Sequence, residues 1–82
     1  MLLDDLSISI TRFIDKSKDY PPEGFRFLGQ KGQFSDIARK FFKLKAAVWD
    51  GKKLEGEGPD EIIDDTIGHL IILLYLRRNK LP

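Results

Sequence analysis

Gly58-Pro59-Asp60-Glu61-Ile62-Ile63-Asp64-Asp65-Thr66-Ile67-Gly68-His69 is the stretch on which the reading of this chain turns. Pro59 suits the first position of a helix, where its missing N–H has no partner to lose, and Asp60 and Glu61 meet the positive end of the helix dipole. The pattern predicts a helix over roughly 59–78, strongly apolar from Ile67 to Leu76. Arg77, Arg78 and Lys80 favour its negative C-terminal end. At about 100° per residue, Glu61, Asp64, Asp65 and Gly68 share one face, while Ile63, Ile67, Leu70 and Leu74 share the opposite one. One helix therefore carries both a carboxylate cluster and an apolar stripe.

Upstream, Lys52 to Gly58 reads as a charged, glycine-rich connection, and Asp50-Gly51 as the stop of a preceding helix. That helix is predicted over 33–49. Phe34, Ile37, Ala38, Phe41, Phe42, Leu44, Ala47, Val48 and Trp49 form its broad apolar face, and Asp36, Arg39, Lys40 and Lys43 fill the remaining arc. Phe41, Phe42 and Trp49 read most simply as core. Near the start, Leu3, Leu6, Ile10, Phe13 and Ile14 fall on one stripe of a first helix that ends at about Lys16 to Lys18. Between these two helices, 19–32 is rich in Pro and Gly and carries Tyr20, Phe25 and Phe27, which predicts a long loop of the kind that often serves function. No β-alternation competes with these helical stripes, so the expected fold is all-α, with three main helices.

Eighty-two residues make one small domain, 1–82, and a chain of this size buries only about 60% of its unfolded surface. Without cysteine, disulfides add nothing, and a single histidine excludes a zinc cluster of Cys/His type. Self-association into a dimer or tetramer is the expected source of further burial, completing the helical bundle. A formal net charge of +1 argues against binding duplex nucleic acid through its phosphates. The charge is uneven, however. Residues 31–53 are rich in lysine and arginine, whereas 55–65 hold six acids and no base, a bipolar surface suited to a metal and a phosphate. The start of the chain lacks the character of a signal peptide, and no apolar run is long enough to span a bilayer, so a soluble cytoplasmic protein is expected.

Gln33-Phe34-Ser35-Asp36 opens the second helix, as Glu61-Ile62-Ile63-Asp64 opens the third, so each presents oxygen-bearing side chains at i and i+3 on one face. If those helix ends pack together, Asp36, Glu61 and Asp64, joined or oriented by Asp65, make an oxygen-rich site for Mg²⁺ or Mn²⁺. Gln33 and His69 flank it, with His69 expected to pair with Asp65 or with a neighbouring subunit. Arg39, Lys40 and Lys43 are placed to neutralise phosphates. Tyr20, Phe25 and Phe27, flanked by Arg26 and Lys31, can stack a base. The plainer readings are capping for Asp60 and Glu61, a solvated ion-pairing face for Asp36, and a packed lid for the aromatic loop.

Glu61-x-x-Asp64, after an earlier helical pair at Gln33 and Asp36, resembles the carboxylate motifs of the all-α nucleoside triphosphate pyrophosphatases of the MazG and dUTPase type. Their pattern is Glu-x-x-Glu on one helix and Glu-x-x-Asp on a later one. The wider run from Lys18-Asp19-Tyr20 through Phe34 to Lys40, and from Glu61 to Tyr75, is similar to the small nucleotide modification associated, MazG-like domain of phage-encoded proteins. The resemblance covers about four-fifths of the chain. It implies a MazG-like bundle, a divalent metal site and a nucleotide or nucleotide-derived ligand, in the host cytoplasm if the protein is phage-encoded. Gln33 and Asp36 stand where Glu-x-x-Glu is expected, and glutamine supplies neither a negative charge nor a general base. The reading therefore favours nucleotide binding over turnover. An active pyrophosphohydrolase and an adaptor that inhibits a host protein through the apolar third helix are the alternatives.

Overall fold

A computed structural model describes the backbone of residues 1–19 and 22–82, with the side chains of all of these except 22 and 25. Tyr20, expected to stack a base, lies outside the described residues, as does the side chain of Phe25. The described chain is all-helical: α1 (Leu2–Ser17), α2 (Pro22–Phe27), α3 (Gly29–Leu44) and α4 (Pro59–Arg78), with a π-helical turn over Lys45–Trp49 continuing α3. No described helix is long and apolar enough to cross a membrane.

The predicted ends of α4 are the observed ones. Gly58 is extended at the N-cap, Pro59 begins the helix, and Asp60 and Glu61 fill its first turn. The α1 boundary also agrees with the pattern. The second main helix differs at its start and, in its last turn, in hydrogen-bond spacing. It begins at Gly29 rather than near Gln33, and the 19–32 segment holds the short helix α2. The cause lies in two glycines. Gly29 takes a positive φ of +68°, a conformation glycine adopts without strain, and separates α2 from α3. Leu28 then lies over Gly32, where an added Cβ would come within 2.6 Å of the Leu28 Cβ. At the other end, the Asp50 N–H donates to the Lys45 carbonyl at 3.0 Å, the wider spacing of a π turn. Gly51, with φ +68°, ends the helix as Asp50-Gly51 predicts.

α3 and α4 are the main pair. They run antiparallel: Gln30 meets Arg77, Gln33 meets His69 and Lys40 meets Asp65, so partners descend α4 as the chain ascends α3, and Lys43 meets Glu57 just before α4 begins. α1 lies against another side of α4, with Phe13 against Gly68, where a Cβ would meet the Phe13 ring at 3.2 Å. Little is sealed. Among described large apolar side chains only Ile62 and Leu76 are fully buried.

The expected aromatic core is not observed. Trp49 is 83% and Phe42 68% exposed, and Phe41 also faces out. α3 turns only one arc towards α4, and that arc carries Gln33 and Lys40, the buried residues of the helix. The broad apolar face is too wide for one partner helix to cover.

A candidate ligand cleft between the first and fourth helices

Where α1 meets α4, with α2 and the start of α3 closing the side, a cleft of about 240 Å³ opens. Phe13, Leu28, Gly68 and Ile72 give it apolar walls, and Ser9, Arg12, Lys16, Asp64, Asp65 and His69 add polar groups. Ser9, Arg12 and Lys16 recur at three and four residues along α1, so one helical face presents all three. Asp64 and Asp65 project from the second turn of α4.

These groups form a fully partnered network. Ser9 Oγ donates to Asp64 Oδ1 at 2.6 Å, and Arg12 donates to Oδ2 of the same carboxylate. Lys16 Nζ donates to Asp65 Oδ1 at 2.9 Å, while Lys40 Nζ reaches Oδ2 at 3.5 Å from the α3 side. Lys40 is only 7% exposed, so Asp65 is its anchor in a place with little water. The hydrogen bond from Ser9, followed by that from Arg12, holds the Asp64 carboxyl below the usual range. For Asp65, burial pushes the pKa up, but Lys16 and Lys40 outweigh it and the net shift is downward. Lys16 is raised in turn by its hydrogen bond to Asp65.

Gln33, buried at 3% exposure, sits beside this network. Its Oε1 lies 2.6 Å from His69 Nδ1; a carbonyl oxygen only accepts, so Nδ1 carries the hydrogen. His69 Nε2 then faces Asp36 Oδ2 at 3.9 Å. Burial lowers the His69 pKa despite the pull of Asp36, so the neutral ring is favoured. The partner expected for His69 was Asp65 or a neighbouring subunit; within the chain it is Gln33.

Of the four carboxylates read as a metal set, only Asp64 and Asp65 share this cleft. Asp36 pairs with Arg39 on its own helix at 3.5 Å, Glu61 is exposed, and all four oxygens of Asp64 and Asp65 already accept from protein donors. Among the described residues, no group of three or more His, Asp or Glu side chains is gathered to hold a metal ion. The residues present therefore do not fit a preformed divalent site, since a cation would have to displace Arg12, Lys16 and Lys40.

Of the basic residues expected in a nucleotide site, Lys40 joins the network. Arg39 is turned to Asp36 and Lys43 to Glu57, while Arg26 and Lys31 line a separate depression beside Leu81 and Pro82. Sequence reasoning missed Arg12, Lys16 and Ser9. A usable signal was present: two adjacent aspartates inside an apolar helix require cations, and Arg12-x-x-x-Lys16 offers a pair spaced to reach both.

No protein-family model matches this sequence, and neither a curated protein nor a solved structure matches it.

Proposed function

We propose that this chain binds a nucleotide or nucleotide-derived small molecule in the α1–α4 cleft. The observation that carries the reading is the union of an apolar pocket with a rim of exchangeable cations. A volume of about 240 Å³ lies just below the roughly 300–1,000 Å³ of sites that enclose a whole drug-sized ligand. It suits one flat ring system, held between Phe13, Leu28 and Ile72, with the rest of the ligand outside. At the mouth, Arg12 and Lys16 are largely exposed and tied only to aspartates, so phosphate oxygens can compete for them. The resemblance to MazG-like domains supports the same ligand class.

In this reading protein cations meet the phosphate charge, because the aspartate oxygens are already in use. Binding without turnover is the favoured form. The only histidine is turned to a buried glutamine, and both aspartates are engaged as acceptors, which leaves neither poised to activate water.

Calorimetry with nucleoside triphosphates and cyclic dinucleotides tests the proposal. Arg12→Ala and Lys16→Ala are each expected to weaken binding about tenfold, the loss of one charge-assisted hydrogen bond. Lys43→Ala, engaged with Glu57 away from the cleft, leaves affinity unchanged. Binding that depends on Lys43 and not on Arg12 or Lys16 refutes the site; no binding by any nucleotide refutes the function.

A further inference from the structure

The carboxylate-bearing side of α4 faces α1, and the side carrying His69 and Leu73 faces α3. What remains is the stripe Ile63, Ile67, Leu70 and Leu74, spaced four, three and four residues, the spacing of a helix–helix seam. Ile63, Leu70 and Leu74 are each between 41% and 48% exposed. The stripe does not stop at the edge of α4, because Ile63 lines one apolar groove with Phe41, Leu44, Val48 and Trp49.

We infer that this face is covered by a second copy of the chain, with α4 packed antiparallel against α4 about a two-fold axis. The stripe is complementary to itself in that direction: Ile63 lies opposite Leu74 and Ile67 opposite Leu70. Charge selects the same direction. Asp60 and Arg78 occupy one flank of the stripe at its two ends, both are exposed, and neither enters an ion pair among the described residues. In the antiparallel pair each Asp60 meets the other copy's Arg78. A parallel pair would give neither Asp60 nor Arg78 an opposite charge across the seam. A stable interface covers about 800 Å² per partner, roughly an eighth of the 6554 Å² that this chain exposes. The stripe with the adjoining Phe41, Val48 and Trp49 provides an apolar face of that kind. The pairing leaves the α1–α4 cleft open and does not depend on what the cleft binds.

The chain has no cysteine, so introduced thiols report geometry directly. Under mild oxidation the full chain carrying Ile63→Cys and Leu74→Cys together is expected to give a covalent dimer. Either single variant stays uncrosslinked, because like positions on the two copies sit about 16 Å apart. In sedimentation, Asp60→Arg and Arg78→Asp each raise the dimer dissociation constant about tenfold, and the doubly swapped chain recovers most of that loss. A wild-type monomer at tens of micromolar overturns the inference. So do single cysteine variants that crosslink as readily as the pair, or a doubly swapped chain no better than either single variant.

Discussion

Removing the Asp64 carboxylate with Asp64→Ala should release α1 while leaving the α3–α4 hairpin intact. α1 contributes no buried residue, and its ties to α4 include the Phe13–Gly68 contact and the hydrogen bonds to Asp64 and Asp65. Ser9 gives Asp64 a part-buried, charge-assisted hydrogen bond, for which about 1.5 kcal/mol is a fair estimate. Arg12 is mostly solvent-exposed, so its pair is discounted to about 0.5 kcal/mol. The sum, about 2 kcal/mol, corresponds to roughly a thirtyfold increase in the opening of α1. An isolated helix of 16 residues is marginal in water, so undocking becomes unwinding. Hydrogen exchange resolved by residue is the assay. Amides of α1 should exchange about thirtyfold faster, while those around Ile62 and Leu76 keep their rates. Uniform loss of protection along the chain, or unchanged α1 exchange, would show that Asp64 does not pin this helix.

Three further outcomes are expected. Gly68→Leu places a Cβ 3.2 Å from the Phe13 ring and branches into the cleft, costing about 1–3 kcal/mol in packing against about 1 kcal/mol gained in helix propensity, so ligand binding measured by calorimetry should be lost while helix content by circular dichroism is kept. The His69 pKa is depressed on folding, so its contribution is present above the unfolded value of about 6.5 and fades as pH falls; urea melts should show stability dropping between pH 7 and 5, a drop that His69→Gln reduces. The depressed pKa values of Asp64 and Asp65 act in a lower window: their contribution is complete above about pH 4 and is lost on further acidification, so Asp64→Asn and Asp65→Asn should each flatten the stability profile there, and a wild-type profile flat down to pH 2 would contradict the ion-pair network.

Local signals made the helices legible. Pro59 with two acids after it, Gly51 after Asp50, and the stripes of α1 and α4 act over a few residues, and the boundaries they imply agree with the structure. The 19–32 segment was misread because Gly29 and Gly32 look like loop residues. One takes the positive φ that separates α2 from α3 and the other makes room for Leu28, relations in space that composition does not express. The site was half legible. Asp64 and Asp65 stood out as acids within an apolar helix, but Ser9, Arg12 and Lys16 come from about fifty residues away, and only the packing of α1 on α4 brings them in. The aromatic face of α3 was recognised as apolar yet assigned to a core that two helices are too narrow to form.

The way α1 is fastened has a consequence for affinity. One wall of the cleft is a helix held by one packing contact, one part-buried hydrogen bond and two exposed ion pairs, so the pocket exists only in the fraction of molecules in which that helix is seated. Apparent affinity is the intrinsic affinity scaled by this population. Screening reaches such pairs at ordinary ionic strength, with a Debye length near 8 Å at about 0.15 M. For the proposed ligand, salt would therefore act on occupancy twice, by competing for the ligand's charges and by emptying the seated population. A ligand that bridges both helices works in the opposite sense, drawing the ensemble towards the closed pocket.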